Sequence, residues 1–249
     1  MSLSRRLASE AVGTALLLAC VVGSGIMGER LAGGNVAIAL LANTVATGAV
    51  LVALILTFGS ISAHFNPAVT LVEAWRGTTA WSEVPAYVAA EFVAAILGVV
   101  VAHLMFELPI VSLSQHTRSG PAQMLSEFVA TFGLLSVILG VSRNNRQAVP
   151  FAVGAYITAA YWFTASTSFA NPAVTLARSL SDTFAGIRPS DVPGLLLAQL
   201  GGAGASAAFF GWLAPEEPRD DERSDPREVM NAGSADLQRP VSLHRKLGA

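Results

Sequence analysis

Apolar residues run along this chain in long uncharged blocks, broken by short polar clusters. No Asp, Glu, Lys or Arg occurs between Arg30 and Glu73, between Arg146 and Arg178, or from Val192 to Pro215. A helix that crosses a bilayer needs about 20 apolar residues. Six stretches meet that length: roughly Leu7–Met27, Val36–Phe58, Pro85–Phe106, Pro121–Val141, Val149–Ala165 and Val192–Leu213. Gly, Pro and polar clusters punctuate them. Two further apolar pieces, Asn66 to Trp75 and Asn171 to Leu180, are too short to span. At about 1.5 Å per residue each reaches roughly half the hydrocarbon thickness.

The order is span, span, half-span, span, and then the same again. Asn66-Pro67-Ala68-Val69-Thr70-Leu71 and Asn171-Pro172-Ala173-Val174-Thr175-Leu176 are identical and occupy matching places in the two halves. Ser9-Glu10-Ala11-Val12-Gly13-Thr14 parallels Ser126-Glu127-Phe128-Val129-Ala130-Thr131, and Ala90-Glu91-Phe92 parallels Ala198-Gln199-Leu200. The repeats cover about 7–106 and 121–213, within a transmembrane domain of residues 1–213. Each half holds an odd number of spans, so the second must enter the membrane from the opposite side, which makes an inverted-topology repeat. The fold class expected is an all-α membrane protein with six transmembrane helices and two re-entrant half-helices.

Composition agrees: 53 % of the residues are hydrophobic and 13 % charged, against about 25 % charged in a soluble domain. Arg5, Arg6, Arg76, Arg143 and Arg146 fall on the side shared by both termini, and Arg30, Arg118, Arg178 and Arg188 on the other. By the positive-inside rule both termini are expected to be cytoplasmic. From Pro215 the chain turns charged and Pro-containing, so 214–249 reads as a disordered cytoplasmic tail. The net charge of −2 and the lack of a basic cluster with interleaved aromatics give no sign of a nucleic-acid partner. Cys20 is the single cysteine and sits in an apolar segment, so no internal disulfide is possible. His103, His116 and His244 are isolated; no metal site, cofactor or enzymatic nucleophile–base pair emerges.

The chemistry lies in the short pieces. Asn is a preferred N-cap through its side-chain oxygen, and Pro suits the first helical position. Capping with the oxygen leaves the amide –NH₂ to point elsewhere. In an inverted repeat the two half-helices enter from opposite faces, and their N-termini meet near the midplane. Irregular backbone survives at that depth only in protein or beside a cavity. The cavity centre is expected to show two Asn amides and two positive helix ends. Backbone carbonyls should line it: Ser62, Ala63, His64 and Phe65 in one half, Thr167, Ser168, Phe169 and Ala170 in the other. An oxygen held by both Asn groups cannot continue a proton wire, and the dipoles oppose cations. The path should therefore pass small neutral molecules. Broken helices in inverted repeats also build secondary transporters, the alternative function; Glu10, Glu91 and Glu127, in or near span ends, do not decide between them.

With Ala63-His64-Phe65-Asn66-Pro67-Ala68-Val69-Thr70 as its signature, the chain resembles the aquaporin (major intrinsic protein) family from about Leu7 to Leu213. The resemblance implies a right-handed bundle with one passive pore per subunit, in a homotetramer in a bacterial inner membrane. It implies a pore centre of Asn66, Pro67, Ala68, Asn171, Pro172 and Ala173, with Glu10 and Glu127 supporting the half-helix loops. An intramembrane carboxylate is expected to face the interior and find donors. His64 reads as a hydrogen-bonded framework residue rather than a metal ligand.

The family's second motif usually ends in Arg, where this chain has Val174. Counting from the Asn residues, the family's narrow outer ring falls on Ala46, Ala159, Ser168 and Val174. Without a guanidinium that ring should be open and admit water, glycerol-like polyols and arsenous acid, a neutral trihydroxide. Thr183-Phe184-Ala185-Gly186-Ile187-Arg188-Pro189 is similar to a bacterial aquaglyceroporin-like branch of the family associated with arsenite handling. Small residues also suit helix contacts, in which case Tyr161, Trp162 or Phe169 narrows the pore instead of Ala46 and Ala159.

Overall fold

The computed structural model describes residues 1–214; most of the tail expected over 214–249 lies outside them. The described residues form eight α-helices: α1 (Leu3–Leu31), α2 (Val36–Phe58), α3 (Pro67–Trp75), α4 (Val84–Met105), α5 (Pro121–Asn144), α6 (Val149–Phe163), α7 (Pro172–Arg178) and α8 (Val192–Leu213). Six are the spans and two, α3 and α7, the half-helices. Local chemistry sets several boundaries. Asn35 caps α2, its side chain accepting from the N–H groups of Ala37 and Ile38. Pro occupies the first turn of α3, α4, α5, α6 and α7, where a missing N–H costs nothing.

One span differs from the expectation of full length. α6 has 15 residues, about 22 Å at 1.5 Å per residue, short of the roughly 30 Å of hydrocarbon. A 3₁₀ turn, Arg146–Ala148, extends it at one end. At the other the chain leaves the helix at Thr164 for the irregular segment that leads to α7.

The bundle packs α1 on α2 and α4, and α2 on α6, which in turn meets α5. At the α2–α6 crossing Gly48 and Gly154 face each other. A Cβ on Gly154 would stand 2.7 Å from the Gly48 carbonyl oxygen, and one on Gly48 would stand 3.0 Å from that of Gly154. Small residues of this kind let membrane helices approach backbone to backbone. Large apolar side chains such as Leu41, Leu97, Leu125 and Leu197 are exposed on the outside, where lipid would meet them, while Glu10, Glu91, Glu127 and Gln199 are fully buried. That inside-out distribution is the one a bilayer solvent demands.

Candidate pore and its outer mouth

Both half-helices begin with the cap that their sequence suggests. Asn66 Oδ1 accepts from Ala68 N at 2.9 Å, and Asn171 Oδ1 accepts from Ala173 N at 3.0 Å. The amide nitrogens then cross to the opposite half. Asn66 Nδ2 donates to the Ala170 carbonyl at 2.8 Å, and Asn171 Nδ2 donates to the Phe65 carbonyl at 2.7 Å. This reciprocal exchange joins the two helix N-termini, and each amide retains one N–H for the cavity. Ala63, His64, Phe65, Ser168, Phe169 and Ala170 of the two loops border the cavity. Phe65 O and Ala170 O accept from the paired Asn residues, and Ser62 O accepts from Ser9 Oγ at 2.6 Å.

The backbone before each Asn is strained. Phe65 and Ala170, the matching residues, both have left-handed φ, 51° and 47°, and Thr167 and Ser168 share that region at 61° and 51°. Left-handed non-Gly residues cost of order 1–3 kcal/mol each and persist where the surroundings over-determine them. Buried carboxylates do so here. Glu10 accepts from His64 N at 2.8 Å, Phe65 N at 2.6 Å and Ser62 Oγ at 2.5 Å. Glu127 accepts from Phe169 N at 2.9 Å, Ala170 N at 2.8 Å and Gln199 Nε2 at 2.6 Å. The sequence match of Glu91 with Gln199 also acquires a geometry: Glu91 Oε1 accepts from Asn66 N and Thr70 Oγ1, while Gln199 Nε2 donates to Thr175 Oγ1 as well as to Glu127. His64 Nδ1 lies 3.0 Å from Thr70 Oγ1.

A cavity of about 160 Å³ runs past the paired Asn residues. On the face that carries the start of α1 it meets a vestibule of about 780 Å³, lined by Arg6 and Arg146 among others; Ile55, Ala63, His64 and Val149 border both spaces. At the rim of that vestibule Arg6 donates to both carboxylate oxygens of Glu83, at 2.8 and 2.5 Å. This bonding holds the Glu83 carboxyl below its ordinary range. The cavity wall is divided. Leu17 and Val21 of α1, and Leu134 and Ile138 of α5 at the same offset that relates Glu10 to Glu127, give an apolar side. The half-helices give the polar side, through Asn66 and Glu73 of one and Asn171 and Arg178 of the other, with Val69 and Val174 between them. These are positions i, i+3 and i+7 in each motif, one face of a helix.

The narrow ring expected from counting includes Ser168 and Val174, which line the cavity. It is corrected at the other two positions. Ala159 is exposed on the outside of α6 and Ala46 is half-buried against α1, its carbonyl 3.5 Å from Cys20 Sγ. Thr47 and Tyr161 line the cavity in their place, with Tyr161 Oη donating to Thr47 Oγ1 at 3.3 Å. Helix rotation explains the miss: a displacement of one or two residues turns a side chain by 100° or more. Of the aromatic alternatives, Tyr161 and Phe169 line the cavity, while Trp162 is 49 % exposed.

The expectation of a mouth without guanidinium is also overturned. Arg178, fully buried one turn beyond Val174, reaches the cavity wall. Its Cζ lies 3.6 Å from the centre of the Phe169 ring, and its Nε donates to the Ala185 carbonyl. Arg118 approaches the same ring at 5.2 Å. The signal available in the sequence was the i+7 position of the second motif, which counting to i+3 passed over.

An inverted repeat, two opposed and cross-bonded half-helix N-termini and a cavity between them define the class, a membrane pore rather than an enzyme. The description "Major intrinsic protein" belongs to the family model that matches residues 1–168. The aquaglyceroporin AqpS of Rhizobium meliloti (strain 1021) is 57 % identical over 212 residues, covering 85 % of this chain and 91 % of that protein. Aquaporin NIP2-2 of Zea mays is 35 % identical over 195 residues, covering 74 % of this chain and 65 % of the relative. The X-ray structure of the aquaglyceroporin from Plasmodium falciparum superposes with a TM-score of 0.68 at 20 % identity, over 84 % of this chain and 96 % of that one; it bears on the fold alone. The chain belongs to the major intrinsic protein family. It is a multi-pass membrane protein and a passive channel for small uncharged solutes, and the coupled-transporter alternative is not favoured.

Proposed function

We propose that the channel conducts water and glycerol-like polyols, with arsenous acid as a third neutral hydroxylated solute. The observation that carries this reading is the divided wall of the cavity. A polyol has a carbon face and a hydroxyl face. Leu17, Val21, Leu134 and Ile138 offer the first an apolar surface, and the spare amide hydrogens of Asn66 and Asn171 offer the second its donors. Residues 1–213 constitute the pore domain. Asn66, Pro67, Ala68, Asn171, Pro172 and Ala173 form its centre, and Thr47, Tyr161, Ser168 and Val174 its narrow region. Glu10 and Glu127 hold the two loops. The resemblance between the chain and its family further supports a homotetramer in a bacterial inner membrane with both termini cytoplasmic. In purified proteoliposomes, light-scattering traces should report water, glycerol and arsenous acid entry above protein-free vesicles. Water entry with glycerol and arsenous acid excluded would overturn the polyol reading.

A further inference from the structure

The two half-helices present different charges at matched places. Glu73 of α3 and Arg178 of α7 both stand at i+7 from their Asn, and both line the cavity. Glu73 is neutralised locally: Arg76 Nη1 donates to Oε1 at 3.1 Å and Thr78 Oγ1 to Oε2 at 2.5 Å. Arg178 has no ion-pair partner among the described residues. Two carboxylates of its end of the bundle, Asp182 and Asp191, are engaged elsewhere. Asp191 binds Arg188 and the backbone of Arg118, and Asp182 accepts from Gln115 N.

Arg178 sits at the mouth opposite the start of α1. The chain just beyond α7 is bonded to the α4–α5 connection, Ser112 N and Ser114 N donating to the carbonyls of Leu180 and Ser179 at 3.0 Å each. That connection follows an odd number of crossings from the N-terminus, so it lies on the opposite face. Its guanidinium is fixed by the Phe169 stack and the Ala185 carbonyl, yet Nη1 is buried without a hydrogen-bond partner. Ser168 Oγ, from a second residue of the cavity wall, is likewise buried and unpartnered. Arg118 makes the contrast. Its Nε and both terminal nitrogens donate to Gly186, Ser166 and Phe184 carbonyls, which makes it a pin for the loops.

A buried cation without a counter-ion is costly, and in membrane interiors such groups mark permeation paths. We propose that Arg178 is the specificity-determining residue of the outer mouth. Its uncompensated charge repels cations before they reach the Asn pair, and its spare Nη1 donors, with Ser168 Oγ, take the oxygen of a neutral solute on entry. The guanidinium so placed sets the charge of the mouth one helical turn farther out than Val174. The proposal rests on the pore reading above.

The test compares the full chain with R178Q, R178M and R178K in proteoliposomes. Water and glycerol entry are read by light scattering, and proton entry by a trapped pH dye under a potassium–valinomycin potential. The two neutral variants should raise the ratio of proton leak to water entry about tenfold or more, and R178K should keep that ratio low. A ratio equal to that of the unchanged chain in R178Q and R178M would overturn the proposal. Loss of water entry in both neutral variants, with R178K still conducting, would make Arg178 a structural pin and also overturn it. If the unchanged chain itself passes neither water nor glycerol, the pore reading fails first, and the role of Arg178 with it.

Discussion

The two half-helices start from six identical residues and end differently. α3 is entered through one left-handed residue, Phe65, and closes with a neutralised carboxylate, Glu73. α7 is entered through three left-handed residues, Thr167, Ser168 and Ala170, and closes with a guanidinium stacked on Phe169. The shared residues perform the shared task of capping and cross-bonding at the midplane. What differs lies before and after them, at the mouths, where a pore chooses what enters. An inverted duplication thus keeps a symmetric centre while its two ends diverge.

Breaking the loops should have the largest effect. Glu10→Leu and Glu127→Leu each strand two buried backbone N–H groups, at about 1–3 kcal/mol per group. Glu127→Leu should be the more damaging, because Glu127 secures the loop with more left-handed residues. Thermal unfolding in detergent would show it as the larger fall in midpoint; an equal fall would mean that the strain is not concentrated in the second loop. The next effect is on selectivity. Val174→Arg should lower glycerol entry about tenfold, a barrier increase of about 1.4 kcal/mol, and water entry by less. Val69→Arg, at the matching position of α3, is the mirror test, and equal loss of water and glycerol in either variant would indicate general blockage.

A smaller effect is expected at the helix crossing. Gly154→Ala forces a methyl group toward the Gly48 carbonyl and should cost about 1–3 kcal/mol by overpacking, read in the same unfolding assay. The smallest is at the vestibule rim. The Glu83 carboxyl, held below its ordinary range by Arg6, contributes stability that is present above the unfolded-state value of about 4.3. That contribution is lost as pH falls through the lower folded-state value. Glu83→Gln should therefore differ slightly from the unchanged chain at pH 7 and converge with it in acid; a gap that widens in acid would contradict the assigned sign.

Much of this was legible in the sequence because it follows from repetition and burial. The uncharged blocks located the spans to within a few residues, and the doubled motif located the midplane. The outer ring was less legible. Counting from Asn66 and Asn171 assumes a uniform helical path, and α2 and α6 turn Thr47 and Tyr161 inward where counting placed Ala46 and Ala159. Arg178 was visible as a charge at the end of an apolar block, but its stack on Phe169 depends on a loop with left-handed residues. No propensity encodes that geometry. The reciprocal bonds from Asn66 to Ala170 and from Asn171 to Phe65 are equally tertiary.

The central claim is passive conduction of a neutral polyol through the path between the two Asn residues. Its most direct test is the rate of glycerol entry into proteoliposomes as the gradient is raised, with and without ionophores that collapse proton and sodium gradients. The account predicts a rate that rises linearly with the gradient and is unchanged by the ionophores. A rate that saturates and falls when either ion gradient is collapsed would contradict it.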